Sequence, residues 1–200
     1  MRPGHTTTLA GEARLQQEIK KSRFLAIAAP VDDADAALAF VARVGTPAAT
    51  HNCWAYRIGP LYRFSDDGEP GGSAGRPILA AIEGQGLDRV AVVVTRWFGG
   101  VKLGVGGLVR AYGGCAAECL RLAERRVVVE RVTLRVRCDF AVAATLYAKL
   151  RDFEAVRQSE TASADGVELH LDLPGEHVAA LTAFVRDASR GRATVEPAEN

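Results

Sequence analysis

Between Phe64 and Gly114 the chain gathers residue types that bind and orient charged ligands. These are the acids Asp66, Asp67 and Glu69, the cations Arg76, Arg96, Lys102 and Arg110, and thirteen of the chain's twenty glycines. Glycine loses more conformational freedom on folding than any other residue, so this density points to positive φ, tight turns or a closely approached backbone. Gly99, Gly100, Gly104, Gly106 and Gly107 surround Lys102 in GGVKLGVGGL, just ahead of a helical pattern. Such a loop offers free N–H groups, and the helix behind it adds about half a positive charge, so an anion is favoured there. Arg96, Lys102 and Arg110 straddle the loop, with His51 and Arg76 as further cationic or hydrogen-bonding contributors to an anion- or nucleic-acid-binding face. The competing reading is that the glycines serve close helix–sheet packing. No P-loop is present, because Lys102 is neither preceded by GxxxxG nor followed by Ser or Thr.

The acidic run DDGEPGGSAGRP has two readings as well. Asp66, Asp67 and Glu69 are expected to hold Mg²⁺ against a phosphate, since hard cations take carboxylate oxygens and keep several waters. Alternatively Asp-Asp-Gly and Glu-Pro-Gly are turn formers, with the acids paired to Arg63, Arg76 or Arg96. His51 and Cys53 sit two apart, about 6–7 Å along one face of a strand, too far to act as a bonded pair. Cys53 therefore reads as a small core residue, and His51 as a donor to phosphate or RNA. Cys115 and Cys119, at helical spacing with no second ligand pair, also read as core. Trp97-Phe98 beside Arg96 suits stacking on nucleobases, or anchoring of a strand end.

Composition narrows the class. Apolar residues make up 48% and charged residues 24%, as in an ordinary globular protein. No apolar run nears the ~20 residues that span a bilayer, and the N-terminal residues lack a secretory pattern. The four cysteines form no CxxC and no dense framework, so reduced thiols and a cytoplasmic setting are expected, with no membrane partner. Residues 1–126 carry 16 basic against 12 acidic side chains, a net +4, and residues 127–200 carry 9 against 12, a net −3. A strongly basic nucleic-acid binder is excluded, since that class has a domain pI above ~9. A local basic patch in the first part is not.

These candidates must be positioned by two sets of elements. Residues 1–19 are polar, with helical or extended character, and are expected to wrap the edge of a first sheet. Strands are predicted at 22–31, 52–58, 61–65 and 89–95, the last apolar on both faces and hence central. Helices are predicted at 32–44, with Ala37, Leu38, Val41 and Val44 at helical spacing, at 78–83 after Pro77, and at 107–124 with Leu108, Tyr112, Cys115, Cys119 and Leu122 buried. Beyond Arg125 come a long strand at 127–138, a helix at 140–150, a strand at 154–162, an Asp165-Gly166 hairpin turn, a strand at 167–173, a helix to about 189 and a short strand at 192–195. This βαββαβ order is the ferredoxin-like pattern. The predicted domains are 1–127 and 128–200, in an α+β protein.

The blocks HNCWAYRIG, RFSDDGEPGGSAGRPILAAIEGQG and VVVTRWFGGVKLGVGGLVRAYG together resemble the YigZ/IMPACT family, over roughly residues 20–125. The resemblance implies an Impact-type N-terminal domain, a βαβ sandwich like the second domain of ribosomal protein S-five. It further implies a ferredoxin-like C-terminal domain similar to one in elongation factor G. Eukaryotic members of the family act in translational control through a protein partner. Three functions follow as expectations: a translation-associated protein binding RNA or the ribosome, a nucleotide- or phosphate-dependent enzyme using Asp66, Asp67 and Lys102, and a protein-interaction module. No complete, spaced catalytic set stands in the sequence, which puts binding first.

Overall fold

The apolar run at 90–94 becomes the centre of a five-stranded sheet because it offers apolar side chains on both faces, and both faces are covered. The computed structural model describes residues 5–198. Its elements in chain order are β1 (His5–Leu9), β2 (Ala13–Ile19), β3 (Ser22–Pro30), α1 (Ala34–Val44), β4 (His51–Ile58), β5 (Leu61–Ser65), α2 (Gly75–Gly84), β6 (Val90–Trp97) and α3 (Val105–Leu122). There follow β7 (Arg125–Val129), β8 (Arg131–Cys138), α4 (Phe140–Lys149), β9 (Val156–Ala162), β10 (Val167–Pro174), α5 (Val178–Ala188) and β11 (Thr194–Pro197). No helix among the described residues is long and apolar enough to cross a membrane. The chain divides into two compact units, one of Thr6–Val127 and one running from Val128 onward with His5.

In the first unit the strand order is β2-β3-β6-β4-β5, every neighbouring pair antiparallel. β3 and β4 therefore run parallel on either side of β6, joined by α1, and β5 and β6 run parallel on either side of β4, joined by α2. Each is a βαβ crossover with a strand inserted. One face packs Ile27, Ala29, Tyr56, Ala91 and Val93 against Ala37 and Phe40 of α1. The other packs Phe24, Ala26, Val92 and Val94 against Ile78 and Ile82 of α2 and Tyr112, Cys115 and Cys119 of α3. Asp33 caps α1, its carboxylate accepting from the Ala36 N–H at 2.7 Å.

In the second unit β8, α4, β9, β10, α5 and β11 give the expected βαββαβ order, with the sheet arranged β11-β8-β10-β9. Its core is mainly leucine and valine, including Leu134, Val136, Leu146, Leu169, Leu171, Leu181 and Val185. The α+β class holds across the chain.

Several element-level expectations are corrected. The strand expected at 127–138 is two strands, broken at Glu130: β7 pairs with β1, whereas β8 begins its register with β10 at Arg131. The Glu130 carbonyl accepts from the Gly175 N–H instead of joining a ladder. Residues 5–19 hold two strands and no helix, and β2 forms the sheet edge. Leu122 is 61% exposed, because the buried stripe Leu108, Tyr112, Cys115, Cys119 continues through Leu120 and leaves it on the outer side. Leu38 likewise faces out, and Ala37 and Phe40 are the residues of α1 that are fully buried.

Candidate functional site

Asp66 follows β5, and its carboxylate does the work of an N-cap for α2. The residue at the cap position, Ala74, has no side chain that could do so. One Asp66 oxygen accepts from the Ala74 and Gly75 N–H groups at 2.9 and 2.8 Å, and the other from Gly72 at 2.8 Å. Burial pushes this carboxyl up, but the three backbone donors outweigh it and hold it below its ordinary range. A Cβ at Gly75 would lie 2.7 Å from the Ser65 carbonyl oxygen, so glycine is required where the helix starts against the strand.

The other two acids of the loop face elsewhere. Asp67 accepts the Asn52 N–H through its carboxylate at 2.5 Å and the His51 Nδ1–H through its carbonyl at 2.7 Å. Glu69 is buried. Its Oε1 accepts from Arg96 Nη1 at 2.6 Å and from the Tyr112 hydroxyl at 2.7 Å. The expected acidic cluster around Mg²⁺ is thus not assembled: among the described residues no three His, Cys, Asp or Glu side chains are grouped as metal ligands. The reading that paired an acid with Arg96 describes Glu69.

Arg96 lies opposite Phe24 on β3 and His51 on β4. Its guanidinium is 5.6 Å from the Phe24 ring centroid and 5.4 Å from that of Phe98, and donates to Ser22 Oγ at 3.3 Å. Arg96 is only 5% exposed, and its Nε has no hydrogen-bond partner among the described residues. Phe98 is 47% exposed, and its N–H donates to Thr50 Oγ1 at 3.0 Å, which holds the strand end in place. The β6–α3 loop then turns at Gly99, where a Cβ would fall 1.8 Å from the Lys21 carbonyl oxygen. At Gly104, φ is +72°, a value that favours glycine. The first intrahelical bond of α3 runs from the Leu108 N–H to the Gly104 carbonyl, leaving the N–H groups of Val105, Gly106 and Gly107 without intrahelical partners.

These pieces border one cleft of about 420 Å³. Glu69 and Arg96 belong to its lining together with Thr50, His51, Phe98, Lys102, Gly104 and Val105. The buried Glu69–Arg96 pair cancels in charge, so Lys102 and the helix terminus set the sign of the cleft as positive. Of the expected anion site, Arg96, Lys102, Gly104 and His51 meet here. Arg110 is exposed farther along α3 and Arg76 is exposed in the first turn of α2, and neither lines the cleft. Gly99 and Gly100 shape the loop, and Gly106 and Gly107 lie in the first turn of α3. His51 was expected as a donor. Its proton on Nδ1 is spent on Asp67, so the neutral ring offers an acceptor to the cleft. Tyr112 read as plain core, although a buried tyrosine hydroxyl needs a partner, and that was the signal for its bond to Glu69.

Residues 20–120 match the family described as the Impact N-terminal domain, a span that contains every residue of the cleft. An "IMPACT family member in pol 5'region" of Thermus thermophilus is 52% identical over 180 residues, which cover 89% of this chain and 99% of that one. The chain belongs to the IMPACT family. Its similarity to the IMPACT family member YigZ of Escherichia coli is 38% identity over 191 residues, 91% of this chain and 92% of that protein. A solved structure titled "Crystal structure of an hypothetical protein" superposes with a TM-score of 0.69 at 34% identity, covering 98% of both chains. The similarity to these relatives therefore runs through both units of the chain, and the IMPACT assignment does not rest on the glycine-rich segment alone.

Proposed function

We propose that this IMPACT family member is a translation-associated binding protein that takes RNA in the cleft of its first unit, with a phosphate held at Lys102 and the start of α3. The observation that carries this reading is the convergence in one cleft of three features. They are Lys102, the opening turn of an 18-residue helix, and a buried arginine whose Nε has no partner. Arg96 Nε is itself sealed from solvent, so Lys102 and the opening turn of α3 are the groups that a phosphate in the cleft would meet. The exposed ring of Phe98 in the same lining supplies a surface for a base. Family membership supports a role of the IMPACT kind, and the near-neutral net charge favours a local site over an extended basic surface.

A phosphate-dependent enzyme built on Asp66, Asp67 and Lys102 has less support, because Asp66 is spent on capping α2 and Asp67 on β4. A protein-interaction module in translational control is the remaining alternative. The test is anisotropy titration of fluorescein-labelled single-stranded RNA across a salt series, alongside co-sedimentation with ribosomes. Salt-dependent binding that weakens on Lys102→Ala is expected. Absence of RNA binding at low salt sinks the reading.

A further inference from the structure

The imidazole of His51 is held in one orientation and one tautomer. Its Nδ1 sits 2.7 Å from the Asp67 carbonyl oxygen, which can only accept, so Nδ1 carries the ring proton. Gly68 lies against the ring, its Cβ position 3.5 Å from Cε1 and Nδ1, and its φ of +83° favours glycine there. In the neutral ring Nε2 is then a bare acceptor. Glu69 Oε1 lies 3.9 Å from it and is itself an acceptor already serving Arg96 and Tyr112. Among the described residues Nε2 makes no hydrogen bond. Nε2 is therefore open to a donor brought into the cleft by a ligand, in place of solvent.

We infer that the cleft recognises ribose: a single unpaired ribonucleotide whose 2′-hydroxyl donates to His51 Nε2. This rests on the RNA reading above and sharpens it to a substrate class. A volume of about 420 Å³ falls in the range of small-ligand sites, room for one nucleotide and not for a duplex. Double-stranded RNA is gripped across successive grooves by extended surfaces, whereas unpaired nucleotides are splayed out, stacked and read at their edges. Phe98 provides the stacking ring, and Lys102 and the first turn of α3 the phosphate contacts, in the same lining as His51. The 2′-hydroxyl is the group that separates RNA from DNA, and a fixed imidazole acceptor is suited to reading its proton.

The experiment compares three fluorescein-labelled octamers of uridine, as ribo, 2′-deoxy and 2′-O-methyl chains, in anisotropy titrations at one low salt concentration. The ribo octamer should bind about tenfold more tightly than either of the others, the usual scale for one hydrogen bond whose partner is otherwise left unpaired. His51→Leu should bring ribo binding down to the level of the deoxy octamer, with a melting curve showing that the variant is folded. Because the wild-type comparison needs no variant, a misfolded His51→Leu does not spoil the test. Equal binding of ribo and deoxy octamers overturns the ribose inference while leaving the RNA reading intact. Binding of the 2′-O-methyl octamer as tightly as the ribo one also overturns it, since that chain has no 2′ donor. A ribo preference that survives in folded His51→Leu removes His51 from the role. If none of the three binds, the RNA reading fails, and this inference with it.

Discussion

Glu69 and Arg96 meet at 2.6 Å beneath the cleft, both nearly sealed from solvent, although 27 residues separate them in sequence. A buried ion pair is weak evidence of net stabilisation, but breaking it leaves one uncompensated charge in the interior. Glu69→Ala should therefore destabilise the fold by about 3–5 kcal/mol, measured by urea unfolding. Tyr112→Phe, which removes only a hydroxyl donor to the same carboxylate, should cost about 1–2 kcal/mol. The double change Glu69→Leu with Arg96→Met should recover most of the loss. If Glu69→Ala unfolds at the wild-type urea midpoint, the pair is not what closes the floor of the cleft.

Asp66 links the β5–α2 loop to acid stability. Its folded carboxyl is held below the ordinary value of about 3.9 by the Gly72, Ala74 and Gly75 N–H groups, which outweigh the upward push of burial. A depressed carboxyl adds stability that is complete above the unfolded value and is lost as pH falls through that value toward the folded one. The wild-type melting temperature should thus drop as pH falls below about 4. Asp66→Asn should lower it by the equivalent of about 2 kcal/mol at neutral pH and flatten the acid slope. A slope unchanged in Asp66→Asn would place the acid sensitivity elsewhere.

How much of this was legible in the sequence depends on the reach of each interaction. The central position of β6 was legible because Val90–Val94 is apolar on both faces, and the capping aspartate of α1 because it adjoins its helix. The second unit's βαββαβ order followed from turn residues such as Asp165-Gly166, whose signals are local. The break at Glu130 was not legible, since it depends on Gly175 taking the Glu130 carbonyl across the unit. Asp66 capped its helix from eight and nine residues away, so local turn chemistry and metal ligation looked equally apt. Arg96, Lys102 and Arg110 look alike as letters, yet β6 buries the first, the loop directs the second to the cleft, and α3 turns the third outward.

The thiols should separate by burial. Desolvation pushes Cys53 and Cys115 up to about 12 and Cys119 up to about 11, all three being buried. Cys138 is only partly buried, and its thiol is raised by that burial and by Asp139. Since the thiolate is the nucleophile, iodoacetamide at pH 8 should label Cys138 first in the native protein and the other three only on unfolding. Peptide mass mapping reads the order. Early labelling of Cys53 would show that the β4 face beneath the acidic loop opens readily.

Gly99 is fixed by approach and not by φ. A Cβ there would fall 1.8 Å from the Lys21 carbonyl oxygen and 2.6 Å from the Ser22 N, both backbone atoms that no rotamer change can clear. Gly99→Ala should cost about 3 kcal/mol or more, as strain does when main chain must move. Gly114→Ala, which meets nothing within 4 Å in α3, should be neutral or stabilising by up to about 1 kcal/mol. Similar melting curves for the two variants would refute the close contact between the β2–β3 turn and the β6–α3 loop.

Lys102 and Gly106 test whether the start of α3 is a binding surface or only a packed helix. Lys102 is exposed, so Lys102→Ala should leave the melting temperature nearly unchanged. If Lys102 neutralises a phosphate, the same change should weaken RNA binding for all sequences alike and lower the slope of log K against log salt by about 1. Gly106 has a negative φ, and a Cβ there meets only the Arg110 guanidinium at 3.7 Å, so alanine fits the fold and raises helix propensity. Gly106→Ala should therefore stabilise the protein by up to about 1 kcal/mol. A methyl group in the first turn also stands where a phosphate would approach the free N–H groups, so RNA affinity should fall as stability rises. That opposition is the diagnostic: a packing role moves stability and leaves binding alone, whereas an anion site moves the two in opposite directions. Unaltered RNA affinity in both variants across the salt series would remove the phosphate from the start of α3.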